Sequence, residues 1–209
     1  LLNALNQSAL AMEKFLTHED IFRAISENFS QLGFSCMLFP YDADEQRLYT
    51  RYLSYDASAL EAVEKLMGKN HKENSLRPKG SAVFTEVVHE QSTVFLEDIQ
   101  DLARQWLPRR AKRHAKRITE LLKVHKVIIA PLVIDEKVIG VFFVQGNDLR
   151  EEDSQAITSF AILVAASWRK AELFEQAQQE IAARKEADHQ RLLQTKALEA
   201  AANGVVITD

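Results

Sequence analysis

A chain of 209 residues, 27% charged and 46% hydrophobic, has the size and composition of one globular domain with helical extensions. A formal net charge of −4 argues against a dedicated nucleic-acid binder, and a single cysteine excludes an internal disulfide framework or a cysteine-cluster metal site. No apolar run reaches the roughly 18–20 residues that a membrane span needs, so a reducing, cytoplasmic setting is the default expectation.

The first helix is read from Leu2, Leu5, Ala9 and Met12, which recur at three- and four-residue steps. This narrow stripe is expected to contact a partner helix, making residues 1–16 a dimerisation segment. Thr17-His-Glu-Asp20 is a capping box for a second helix, whose apolar face is Ile21, Ala24, Ile25, Phe29 and Leu32 and which stops at Gly33. Phe34 to Phe39 is apolar or small throughout, as in a central strand covered on both faces. Tyr41-Asp-Ala-Asp44 supplies turn chemistry, and Leu48 to Leu53 continues as a paired strand.

Ala57 to Met67 is a short helix closed by Gly68. Pro78 and Gly80 break the polar stretch that follows. A helix is expected from about Ser81 to His89, and a brief strand over Thr93 to Leu96. From Pro108 onward the pattern is a two-faced helix. Ala111, Ala115, Ile118 and Leu122 form one side, and Arg109, Lys112, Arg113, Lys116 and Arg117 form a basic stripe on the other. That stripe is either a solvated face or a dock for a phosphate-bearing ligand or an acidic partner.

The strongest β pattern is Val127 to Val144, two apolar runs flanking Asp135-Glu-Lys137, which is a hairpin of central strands. Pro131 cannot donate to a ladder and belongs at a bulge or an unpaired position. Gly140 leaves room for a neighbour or a ligand. Glu151-Glu-Asp153 places three acids at the positive end of the last helix. Gly204 is expected to close that helix, and Val205, Val206 and Ile207 then read as a strand without a partner. The expectation is a chain cut at the start of a further domain.

The order of these elements, with Ala130-Pro-Leu, Val138-Ile-Gly-Val141 and Leu149-Arg-Glu-Glu-Asp153, resembles a GAF domain. Leu149 occupies the family's aromatic slot, and Arg150 replaces its capping Thr, so that cap is weakened or moved. The resemblance implies an α+β fold: an antiparallel sheet with the N- and C-terminal helices on one face, a ligand pocket on the other, and a long C-terminal signalling helix. The tail from Ala197 to Asp209 resembles the entry to a PAS domain. The implied organisation is a sensor over residues 17–170, a coiled-coil linker helix over 171–202 and a first PAS-like strand over 203–209, within a bacterial signalling protein of the histidine kinase or cyclic-di-nucleotide enzyme type.

The family's chemistries are tested on these residues. Bilin-binding members use a cysteine on a helical segment, whereas Cys36 lies in a strand. Gln145-Gly-Asn-Asp148 lacks the lysine of the cyclic-nucleotide pattern, and members that reduce free methionine sulfoxide use more than one cysteine. Haem or metal binding would fall to isolated histidines such as His71, His89, His114 or His125. No phosphate loop, zinc-protease motif or nucleophile elbow is present. A non-catalytic sensor is therefore expected, with no catalytic or metal residues, an unidentified small ligand and no membrane or nucleic-acid partner.

Family geometry implies a pocket lined by Cys36, Leu38, Phe95, Trp106, Ile129 and Phe142. Trp168, Phe174 and Ile181 fall near heptad spacing and, with the first helix, imply a parallel homodimer whose seam is interrupted by Arg184 and Asp188. The alternative is a ligand-free dimerisation or protein-interaction module with a filled pocket.

Overall fold

The computed structural model describes residues 1–68, 70–107, 111–123 and 125–204. Two helices open the chain, α1 (Leu2–Met12) and α2 (His18–Ser30), followed by β1 (Ser35–Asp42), β2 (Arg47–Tyr49) and β3 (Tyr52–Leu53). Helix α3 (Ala57–Met67), β4 (Ser75–Leu76), α4 (Ala82–His89), β5 (Val94–Leu96), α5 (Gln100–Trp106) and α6 (Ala115–Leu121) form the middle of the chain. A hairpin of β6 (Val127–Ile134) and β7 (Lys137–Gln145) leads to the long α7 (Ser154–Gly204). Every pairing among the described strands is antiparallel, in the order β4-β2-β1-β7-β6-β5, with β3 also paired to β1.

Local chemistry accounts for these boundaries. The Thr17 hydroxyl accepts the Asp20 N–H at 3.2 Å and donates to the Asp20 carboxylate at 2.7 Å, closing the cap of α2 on the side chain rather than on the Thr17 backbone. Asp135 and Glu136 both have left-handed backbones, φ 49° and 62°, and Ile134 pairs with Lys137. The hairpin loop is thus two residues of the mirror-turn type, whose twist matches the strands it joins. Pro131 lies beyond the last β5 pair and one residue before a register shift at Leu132/Val133, where its missing N–H is tolerated.

Both faces of the sheet are buried, with strict alternation. Cys36, Leu38, Ile128, Ala130, Leu132, Phe142 and Val144 point to one face and pack under α1, α2 and α7. Phe29 of α2 meets Phe142 edge-on at 6.1 Å, and Phe160 of α7 completes the group at 5.8 Å from each. Met37, Phe39, Val127, Ile129, Val141 and Phe143 point to the other face, beneath α4 and the segments around Ile99 and Leu102.

Several expectations are corrected here. Leu5 and Met12 are buried in the chain's own core and Ala9 packs against it, so only Leu2 of the proposed α1 seam is exposed. A stripe that narrow serves the intramolecular contact of α1 with α2 and α7. Trp168 is likewise a core residue, stacked 4.1 Å from His18 and edge-on to Tyr52 at 5.0 Å. Leu32, assigned to the buried face of α2, lies beyond that helix and is exposed. The strand expected over residues 48–53 is broken into β2 and β3, whose registers against β1 (Tyr41 with Leu48, Leu38 with Tyr52) are offset by one residue.

The space left by Gly140 is taken by protein: a Cβ there would sit 2.9 Å from the Phe39 carbonyl oxygen. At the start of the last helix the Asp153 carboxylate accepts the Arg150 N–H at 2.9 Å. The cap has therefore moved from the missing threonine to the third acid of the run. Helix α7 includes Gly204, and the strand expected over residues 205–207 lies outside the described residues.

Candidate functional site

The sheet face away from α1 and α7 is covered by short helices that leave a cavity of ≈ 50 Å³. Helix α3 contributes Leu60, Val63, Glu64 and Met67 at helical spacing. Ala103 comes from α5, Ile118 and Thr119 from α6, and Leu53, Tyr55 and Gln145 from the ends of β3 and β7. Val63, Leu107, Ala111, Ala115 and Ile118 form a satellite core behind this wall. The amphipathic reading of residues 111–122 thus holds for its apolar side.

Polar residues also line the cavity. The Glu64 carboxylate accepts the His71 backbone N–H at 2.9 Å and lies 2.7 Å from the ring Nδ1. The backbone bond, then the ring, hold Glu64 below the usual carboxylate range. The Tyr55 hydroxyl donates to Gln145 Oε1, and burial raises its pKa. Thr50 and Asn74 are 1% and 3% exposed, yet Thr50 Oγ1 and Asn74 Nδ2 have no hydrogen-bond partner. An unpaired buried polar group costs about 1–3 kcal/mol, which makes these two atoms the most conspicuous feature of the cavity wall.

The pocket inferred from family geometry is largely displaced. Cys36, Leu38 and Phe142 point to the helix-covered face, and Phe95 packs against that same core. Ile129 is on the correct face but lies beneath the second core rather than on the cavity wall. Trp106 ends α5, and its side chain lies outside the described residues. The cause is parity. A strand that is apolar on both sides carries no polar alternation to say which residues face which way.

Cys36 is fully buried, with its N–H donating to Ser54 Oγ at 2.6 Å. Burial pushes its thiol up to about 12, partly opposed by the Ser54 bond, so it remains a thiol at neutral pH. Among the described residues, no three or more His, Cys, Asp or Glu side chains gather in a metal-binding group. His71 is engaged by Glu64, and His114 Nε2 accepts the Arg113 Nε–H at 3.0 Å.

The basic stripe is not one helix. Lys112 and Arg113 lie on a 3-10 turn and Lys116 and Arg117 on α6, all four exposed, while Arg109 lies outside the described residues. None of the four lines the cavity.

The GAF-domain family model matches residues 16–168, which covers the sheet, the cavity and the start of α7. The chain belongs to the GAF domain family. GAF domains are sensory and regulatory modules of signalling proteins, and the fold here is the one their solved structures show. The chain is similar to the GAF domain of a phosphoenolpyruvate-protein phosphotransferase from Coxiella burnetii (15% identity, TM-score 0.60, 84% of this chain and 96% of that one). Residues 122 to 287 of a methyl-accepting chemotaxis protein align at 18% identity and TM-score 0.55, over 80% of this chain and 98% of that one. Free methionine-R-sulfoxide reductase from Neisseria meningitidis, solved with its substrate, aligns at 12% identity and TM-score 0.56, over 81% of this chain and 89% of that one. Identities this low establish the shared fold. No curated protein matches the chain. No helix among the described residues is long and apolar enough to cross a membrane.

Proposed function

We propose that this GAF domain is a non-catalytic sensor that takes a small ligand on the loop-covered face of its sheet. Its output passes through α7 to a PAS-like or other output domain of a bacterial cytoplasmic signalling protein. The observation that carries this reading is the cavity itself: an apolar space whose lining residues include Thr50 and Asn74, each with a buried polar atom, Thr50 Oγ1 and Asn74 Nδ2, in want of a partner. A ligand transmits only if its affinity differs between two arrangements of the protein. Gln145 supplies a route. It lines the cavity, ends β7 and lies nine residues before the first residue of α7.

A parallel homodimer through the part of α7 beyond the core completes the reading. Phe174 and Ile181 are 37% and 49% exposed, on the part of α7 that extends past the core. Exchanging both for Glu is expected to give monomers by light scattering, and an unchanged dimer would remove α7 from the interface.

The competing reading is a ligand-free interaction module, favoured by the small volume of the cavity. An engineered cavity of about 150 Å³ holds one benzene, three times the ≈ 50 Å³ found here. Native mass spectrometry of the purified chain separates the two. A retained small molecule that is lost on Val63→Phe supports the sensor, and a bare mass in every preparation supports the interaction module.

A further inference from the structure

A second concavity opens beside the cavity and shares part of its wall. It is a cleft of ≈ 390 Å³ lined by β4, residues 77–81 and the first turn of α4. That volume lies within the roughly 300–1,000 Å³ of small-molecule sites. Three cationic side chains reach it from two parts of the chain: Arg47 on β2, and Arg77 and Lys79 in the loop after β4. Among the described residues that line it there is no Asp or Glu, although the chain as a whole has 30 acids and a net charge of −4.

Arg47 Nη1 donates to Ser75 Oγ at 2.7 Å, which fixes the guanidinium and leaves other N–H groups of the fork available. Asn74 also lines the cleft; it is 3% exposed, and its Nδ2 carries two hydrogens and has no acceptor. A buried amide donor and three cations on one cleft, with no carboxylate among the described lining residues, is the arrangement that a bound anion completes.

We propose that this cleft binds the phosphate or carboxylate group of a small molecule, with Arg47, Arg77 and Lys79 supplying charge and Asn74 Nδ2 a buried hydrogen bond. Asn74 and Leu107 line both the cleft and the apolar cavity. Occupancy of the cleft therefore draws on a residue that also lines the cavity.

The test is an NMR titration of the ¹⁵N-labelled chain with inorganic phosphate and, separately, with acetate, at constant ionic strength. The expected result is a saturable shift of the Asn74 side-chain NH₂ signals with at least one of the two anions. Affinity should fall about tenfold or more in Arg77→Ala/Lys79→Ala, since both side chains make charge-assisted contacts. Both residues are exposed, so the double variant keeps its fold. Thr50→Val, altered only in the cavity, is expected to bind the anion like the parent chain. Preference for phosphate or for acetate names the group recognised. The proposal is overturned if neither anion gives a saturable shift at Asn74, or if the folded double variant binds as tightly as the parent. Neither result bears on whether the apolar cavity holds a ligand.

Discussion

The two faces of the sheet are built from alternate residues of the same strands, yet they differ in finish. Under α1, α2 and α7, long helices lay aromatic rings onto Phe142 and fill the space. On the opposite face, α3, α5 and α6 are 11, 7 and 7 residues long, and their ends leave a cavity; each side has two unpartnered buried polar atoms, Ser8 Oγ and Ser154 Oγ on α1 and α7, Thr50 Oγ1 and Asn74 Nδ2 on the cavity wall. Long helices present continuous ridges that interdigitate, whereas short ones bring in backbone termini and polar connections that cannot all be matched. One face is therefore filled by protein, and the other is where a second molecule finds room.

Mutations on the two faces should differ in size and even in sign. The largest effect is expected for Phe142→Ala, which empties the centre of the aromatic group and should cost about 3–5 kcal/mol in denaturant unfolding. A loss under 1 kcal/mol would mean that the helix-covered face is not the better packed. Gly140→Ala, whose new Cβ meets the Phe39 carbonyl at 2.9 Å, should cost about 1–3 kcal/mol through displacement of β1.

On the cavity side the sign should reverse. Thr50→Val keeps the shape, removes an unpaired hydroxyl and should be neutral or stabilising by up to about 1 kcal/mol. Clear destabilisation would show that the hydroxyl has a partner in solution. The smallest effect belongs to Glu64→Gln, and it depends on pH. The folded carboxyl has a lowered pKa, so its stabilisation is present above the ordinary value of 4.5 and is lost as pH falls through the folded value. The gap in melting temperature between parent and variant should therefore hold from pH 7 to about pH 5 and close below that. A gap that persists in acid would assign the effect to packing.

Much of the frame was legible in the sequence, for reasons visible in particular residues. Gly68, with φ 72°, closes α3 at the expected position, and the Ser81 hydroxyl caps α4. The hairpin was legible because two apolar runs need only a turn between them. Face assignment was not legible. Cys36 and Met37 are both fully buried, and nothing in their side chains says which lies under α2 and which under α4. The cavity was hidden for a different reason. Thr50, Asn74 and Gln145 look like ordinary loop and strand-end polar residues, and only the tertiary fold buries them together. Glu64 and His71, seven residues apart, read as a helix-surface acid and an isolated histidine until Gly68 turns the chain back.

Helix α7 has a geometric consequence of its own. Its last core residue is Ala171, and the helix continues to Gly204. At 1.5 Å per residue those 33 further positions span about 50 Å, nearly all of it outside the core. Such a rod is a lever with its fulcrum at the sheet. A tilt of about 5° at the base carries the far end of a straight helix about 4 Å sideways. Displacements too small to register in the domain's own packing become, at that distance, large enough to change which side chains of a neighbouring helix lie opposite.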